Sequence, residues 1–141
     1  MTMDARDLLG VWMLDTFKLE DRTTGEVTLP FGPAPSGTIV FHPEGRFFAL
    51  LTSGGAEATG EPAEASRKVV AYSGRYSLEP DRFVTRVDIA SLPHWIGSQQ
   101  VRYWQIEGGR LRLTSEPLDL AGAEGMHPTV WWRREDPPAA D

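Results

Sequence analysis

Residues 70–89 read VAYSGRYSL, then EPD, then RFVTRVDI, and apolar side chains recur in them at every second position. In the first run the even-numbered residues from Val70 to Leu78 carry most of the apolar or aromatic surface. In the second run the odd-numbered residues from Phe83 to Ile89 do so. This period is that of a β-strand with one buried and one wet face. The stretch therefore predicts two antiparallel strands joined by a turn at 79–81.

Similar short strands lie on both sides of this hairpin. Pro43 with Gly45, and Gly108 with Gly109, mark two further hairpin turns, because proline fixes φ and glycine accepts the left-handed conformation. Helix-forming residues are confined to short segments at 4–9 and 62–68. The other predicted strands are 10–20, 38–41, 46–51, 100–106, 110–115 and 128–134.

About eight short strands without long intervening helices predict an all-β fold. We expect a roughly eight-stranded antiparallel β-barrel with one or two short helices, because closure removes the exposed edges of a small sheet. A barrel of this size encloses side chains or one small ligand. We expect the barrel domain at 8–135, an N-terminal extension at 1–7 and a flexible C-terminal tail at 136–141.

Composition narrows the function classes. The 141 residues carry a formal net charge of -6, which argues against a nucleic-acid partner. The chain has no cysteine, so disulfides, thiolate metal ligands and a cysteine nucleophile are excluded. No apolar run approaches the roughly 18 residues of a membrane span, and the first nine residues do not resemble a signal peptide. We therefore expect a cytoplasmic protein with no membrane partner.

Motifs for cofactor and metal chemistry are absent from the sequence. It contains no G-x-S-x-G, no Walker loop, no G-x-G-x-x-G and no H-E-x-x-H. His42, His94 and His127 lack the alternate spacing with which one strand would present two ligands. We therefore expect neither a metal nor a cofactor.

Several blocks resemble one known family when they are taken together. These blocks are LGVW at 9–12, FHPEGR at 41–46, AYSGRY at 71–76, PHWIG at 93–97 and WWRR at 131–134. In this order they resemble the lipocalin-like domain family of small bacterial and fungal β-barrel proteins. The resemblance implies a lipocalin-like barrel in which Trp12 packs near Arg133 or Arg134 of the last strand and closes one end. Many members of the family carry histidine where this chain has Thr85 or Arg86, so an activity that needs that histidine would be absent here or would use other residues.

Polar residues on the predicted strands suggest a site inside the barrel. Tyr72 and Tyr76 point the same way, and with Tyr103 they would offer hydroxyls that stabilise a carbonyl or enolate. Arg102 points opposite to Tyr103, so one of the two faces the interior. An inward Arg102 would need an anionic partner, either Asp88 or an acidic oxygen of a ligand.

The connection between two strands supplies the remaining candidates. His94 and Trp95 follow a proline there, which places a titratable ring and a large aromatic side chain at a barrel mouth. The predicted catalytic residues are Tyr76, His94 and Arg102. The predicted ligand-binding residues are Phe17, Phe47, Tyr72, Tyr76, Phe83, Trp95, Tyr103 and Trp104.

Three functions are compatible with these residues. The first is binding of one small, largely apolar molecule in the barrel interior. The second is a cofactor-free cyclase or isomerase acting on a polyketide- or terpenoid-like metabolite. The third is a packed barrel that acts as an interaction module, with Trp131 or Trp132 on its contact surface. The sequence leaves open whether the protein is an enzyme and whether it forms a homodimer.

Overall fold

A computed structural model describes residues 5–53, 68–118 and 123–135. Among these residues the helical structure is limited to 3-10 turns at Ala5–Leu8 and Pro93–Trp95. The strands are β1 (Gly10–Glu20), β2 (Val27–Thr28), β3 (Ser36–Phe41), β4 (Arg46–Thr52), β5 (Val69–Leu78), β6 (Arg82–Ala90), β7 (Gln99–Glu107), β8 (Arg110–Thr114) and β9 (His127–Arg134). The predicted helical segment at 62–68 lies, except for Lys68, outside the described residues.

The sheet closes on itself. From β3 to β9, each strand pairs antiparallel with its neighbour in the sequence. Strand β1 pairs with both β3 and β9, which closes the sheet. The sequence does not predict the two-residue strand β2. It pairs only with Leu19 and Glu20, the last two residues of β1. The predicted eight-stranded antiparallel barrel is therefore confirmed, and the 3-10 turn at Ala5–Leu8 takes the place of the short helix predicted at 4–9.

The two ends of the barrel differ. The hairpin turns after β3, β5 and β7 and the N-terminal 3-10 turn lie at one end, which we call the turn end. The longer connections, described at 21–35, 91–98, 115–118 and 123–126, lie at the other, the loop end. At the turn end the ring of Phe41 lies 5.0 Å from that of Phe47 and 4.9 Å from that of Phe83. This aromatic cluster fills the interior there.

Strand β6 contains a bulge that the sequence pattern does not reveal. Ser73 of β5 is opposite Ile89, but the next residue, Gly74, is opposite Val87, so Asp88 is an extra residue. The bulge turns Ile89 outward, where 64% of it is exposed. The prediction that Ile89 continues the buried face is wrong for this reason. Gly74 makes the close pairing possible, since a Cβ there would lie 1.9 Å from the backbone oxygen of Arg86.

Candidate functional site

An apolar cavity lies in the half of the barrel nearer the loop end. Its internal volume, measured for a water-sized molecule, is about 60 Å³, which is room for a few water molecules, and its mouth opens to solvent. Phe17, Phe47, Tyr72, Trp95 and Trp132 supply its aromatic surface. Aliphatic side chains from five strands complete most of the wall: Ile39, Ala49, Leu51, Val70, Leu113 and Val130. An apolar group in this space would lie against apolar side chains and lose its contact with water there.

The 3-10 turn at the loop end positions one wall of the cavity. The hydrogen bond from Trp95 N to Leu92 O, 2.9 Å long, closes the turn, and backbone hydrogen bonds of Val87 with Gly97 and Ser98, at 2.8 and 3.0 Å, fasten it to β6. Trp95 is buried there, and its ring meets that of Tyr72 edge-on at 5.2 Å. Tyr72 in turn lies 5.7 Å from Phe47. The three rings form one continuous aromatic surface toward the cavity.

Arg102 lines this otherwise apolar cavity. It lies opposite the buried Phe83 on the neighbouring strand, and residues directly opposite share a face of the sheet, so Arg102 faces the interior. Its guanidinium donates to Gln100 Oε1 and to the Val101 carbonyl, both at 3.0 Å. Both acceptors are neutral. Within the described parts of the chain no carboxylate forms an ion pair with it.

Asp88, one predicted partner of Arg102, lies on the outer surface instead. Arg46 donates to its two carboxylate oxygens at 3.0 and 2.8 Å. These hydrogen bonds hold the pKa of Asp88 below its ordinary value. Asp88 is therefore not the counterion of Arg102, because the bulge in β6 directs it away from the interior.

A buried donor of the cavity wall is unused. The indole Nε1 of Trp132 is buried and has no hydrogen-bond partner in the described structure. Burying an unpaired N–H costs about 1–3 kcal/mol. The sequence left open which of Trp131 and Trp132 faces outward, although the alternation through Val130 and Arg134 in β9 was a signal that Trp132 faces inward.

A polar groove meets the cavity at the side of the barrel. The pairing of β7 with β8 begins only at Tyr103 and Thr114, so the residues of β7 before Tyr103 pair with β6 alone. The groove fills the gap between them and residues 115–118. Arg102 and Leu118 line both the groove and the cavity. Leu118 was not predicted, because it follows the end of a strand and has no periodic signal.

The other predicted site residues lie elsewhere. Tyr103 faces outward beside the groove, with the Arg82 guanidinium 5.2 Å from its ring. The Tyr76 hydroxyl donates to the His42 carbonyl at 2.7 Å at the turn end, and burial raises its pKa. His94 is exposed on the 3-10 turn. Phe83 and Trp104 are core residues.

The turn end is closed by a stacked arginine. The Arg134 guanidinium lies 3.9 Å from the centre of the Trp12 ring, and it donates to the Leu9 carbonyl at 2.7 Å and to the Asp7 carbonyl. Trp12 Nε1 donates to the Leu8 carbonyl at 2.9 Å. Arg133, the alternative named from the sequence, points outward to Asp15. These contacts fasten the N-terminal turn over this end of the barrel.

Two further findings concern the chain as a whole. No helix in the described residues is long and apolar enough to cross a membrane. Over the same residues, no group of three or more histidine, aspartate or glutamate side chains is arranged to hold a metal ion.

Comparison with known proteins identifies relatives of this barrel. Over 81 residues the chain is 37% identical to the 4′-hydroxy-3′-methoxypropiophenone carrier protein ppsC of Aspergillus oryzae (strain ATCC 42149 / RIB 40). That alignment covers 50% of this chain and 72% of the relative. Residues 9–135 match the family described as the lipocalin-like domain. Because the match spans nearly the whole barrel, the chain belongs to the lipocalin-like domain family.

Proposed function

We propose that the protein binds and carries one small, largely apolar aromatic molecule in the cavity at the loop end. The observation that carries this proposal is the cavity itself, a mostly apolar internal space of about 60 Å³ that opens to solvent at its mouth. Apolar surface buried from water contributes roughly 25 cal/mol per Å², so such a space favours an apolar occupant. The third function considered from the sequence, a packed barrel that acts as an interaction module, ranks lower because apolar side chains line a space that opens to solvent.

The chemistry of the wall favours an aromatic ligand with at least one oxygen. The rings of Tyr72 and Trp95 would pack against it edge-on or offset, as aromatic rings prefer. The Arg102 guanidinium supplies donors for an oxygen. The relative from Aspergillus oryzae is named as the carrier of an aromatic ketone, which supports the same ligand class here.

The positions of the predicted catalytic residues favour carriage over chemistry. The Tyr76 hydroxyl is bonded to the His42 carbonyl at the turn end, whereas Arg102 lines the cavity. His94 is exposed on the 3-10 turn. General acid–base catalysis needs its groups within hydrogen-bond reach of one substrate. A cyclase or isomerase activity therefore ranks second, and the cytoplasmic location and the homodimer stay predictions from the sequence.

Filling the cavity tests this function. N-phenyl-1-naphthylamine, a neutral fluorescent probe, should bind the wild-type protein with saturable one-to-one stoichiometry, verified by native mass spectrometry. Ala49→Phe places a ring into the cavity and should weaken this binding at least about tenfold, or about 1.4 kcal/mol. Ala71→Phe makes the same change on the outer face of the adjacent strand, opposite Leu50, and should bind normally. Wild-type protein without saturable binding, or Ala49→Phe with normal binding, would contradict the proposal.

A further inference from the structure

We infer that Arg102 selects ligands that carry an acidic oxygen, such as a carboxylate, an enolate or an ionised phenol. This inference rests on the proposed function and specifies the ligand class of the same cavity. It starts from the contrast between one guanidinium and the apolar walls around it. A neutral apolar molecule needs no cation at this place.

The charge of Arg102 is left without a counterion in the part of the chain that the structure describes. Its acceptors are the Gln100 amide and the Val101 carbonyl, and a neutral acceptor satisfies an N–H without compensating a charge. Glu116 lines the same groove, but no ion pair joins it to Arg102. Pairing with an anion stabilises a partly buried cation that has no counterion more than it stabilises a cation on the surface.

A chain of hydrogen bonds orients the guanidinium. Gln100 Oε1 accepts from Arg102 at 3.0 Å, and Gln100 Nε2 donates to Ser98 Oγ at 2.9 Å. Ser98 Oγ donates to the Trp95 carbonyl at 2.5 Å. The arginine is thereby connected to the 3-10 turn that carries one wall of the cavity. Its remaining N–H donors are free to bind an acidic oxygen in a forked geometry, which suits a carboxylate or enolate.

The place of Arg102 in the wall fixes how such a ligand would lie. Arg102 lines both the apolar cavity and the polar groove at the gap beside β7. A ligand with an apolar body and one acidic oxygen would bury the body in the cavity. Its oxygen would lie at the guanidinium, where the groove keeps the ion pair near water and reduces the cost of desolvation.

Two probes that differ by one acidic group test this inference. The anion 8-anilinonaphthalene-1-sulfonate has the ring system of N-phenyl-1-naphthylamine plus a sulfonate. Arg102→Gln should raise the Kd of the anionic probe about ten- to a hundredfold, as expected for a charge-assisted hydrogen bond, and change the Kd of the neutral probe less than about threefold. Competition between the probes on wild-type protein verifies that they share the site.

Matched variants separate the role of Arg102 from general effects. Arg112→Gln removes the same charge from the outer face, where Arg112 lies over Trp131, and should leave both Kd values unchanged. Arg102→Lys keeps the positive charge but loses the forked guanidinium geometry, so it should retain part of the preference for the anionic probe. If Arg102→Gln does not fold, the test uses Arg102→Lys instead.

The outcomes distinguish this inference from the proposed function. An unchanged Kd of the anionic probe in the Arg102 variants, or equal weakening of both probes, would overturn the role of Arg102 and leave the cavity function standing. Wild-type protein that bound neither probe would overturn both.

Discussion

At the scale of single residues, two adjacent arginines have different surroundings. Arg134 stacks on Trp12 and donates to backbone carbonyls of the N-terminal turn, whereas Arg133 meets Asp15 on the surface at 3.1 Å. Arg134→Gln should lower the free energy of unfolding by about 1–3 kcal/mol, since it removes a cation–π contact and charge-assisted hydrogen bonds. Arg133→Gln should change it by less than about 1 kcal/mol, because exposed ion pairs contribute little. Urea denaturation measures both, and equal losses would contradict the closing role of Arg134.

Two threonines provide a test of hydrogen-bond satisfaction at the same scale. Thr85 Oγ1 is buried and has no partner among the described residues, while Thr38 Oγ1 donates to the Trp12 carbonyl at 3.0 Å. Thr85→Val replaces an unpaired hydroxyl by a methyl group of similar size and should stabilise the fold by about 1 kcal/mol. Thr38→Val should destabilise it by a similar amount. Thermal denaturation measures the sign of the stability change in both variants. A loss of stability in Thr85→Val would show that the Thr85 hydroxyl has a hydrogen-bond partner.

At the scale of secondary structure, alternation in the sequence was enough to predict eight strands but not their irregularities. The run from Val70 to Leu78 is a strand because its apolar period is two and its flanks are turns. The bulge at Asp88 is invisible in composition, since one extra residue leaves the pattern intact until Ile89. What decides it is the close approach of Gly74 to the backbone of Arg86, a tertiary contact.

The cavity likewise has a part that alternation in the sequence predicts and a part that depends on strand pairing. Tyr72 and Arg102 lie on regular strands, so the alternation limited their directions to two. Which direction Arg102 takes depended on the pairing of β7 with β6, which the sequence does not specify. The groove depends on where the ladder between β7 and β8 ends, and no local residue pattern indicates that position.

An ion pair that joins β4 to β6 across β5 predicts a pH dependence. Hydrogen bonds from Arg46 hold the pKa of Asp88 below its ordinary value, so the carboxylate stabilises the fold above the pKa of an unfolded aspartate, about 3.9. This contribution is lost as the pH falls through the lower pKa of the folded state. Asp88→Asn should therefore be less stable than wild type at pH 7, and the difference should shrink as the pH falls below about 3.9. Urea denaturation across this range measures it, and a difference independent of pH would assign the loss to the shape of the bulge instead.

At the scale of the whole molecule, the two ends of the barrel differ in role. The turn end carries contacts that stabilise the fold, and the loop end carries the cavity proposed to bind the ligand. The turn end holds the aromatic cluster of Phe41, Phe47 and Phe83 and the contact between Trp12 and Arg134. The loop end holds the cavity, Trp95 and the longer connections. Phe47 belongs to both the cluster and the cavity wall, so the packed end supplies the floor against which a ligand would lie.

This separation predicts how a ligand stabilises the fold. A ligand that binds only the folded state adds RT ln(1 + [L]/Kd), which is about 2.7 kcal/mol at a free concentration of 100 times Kd. For a domain of this size the gain raises Tm by about 8 °C. We expect this shift with N-phenyl-1-naphthylamine for the wild type and for Arg134→Gln alike, although the variant starts from a lower Tm. Ala49→Phe should show almost no shift, because its cavity is filled. A smaller shift in Arg134→Gln would mean that the closure at the turn end also shapes the cavity, and the two ends would then have to be treated as one coupled unit.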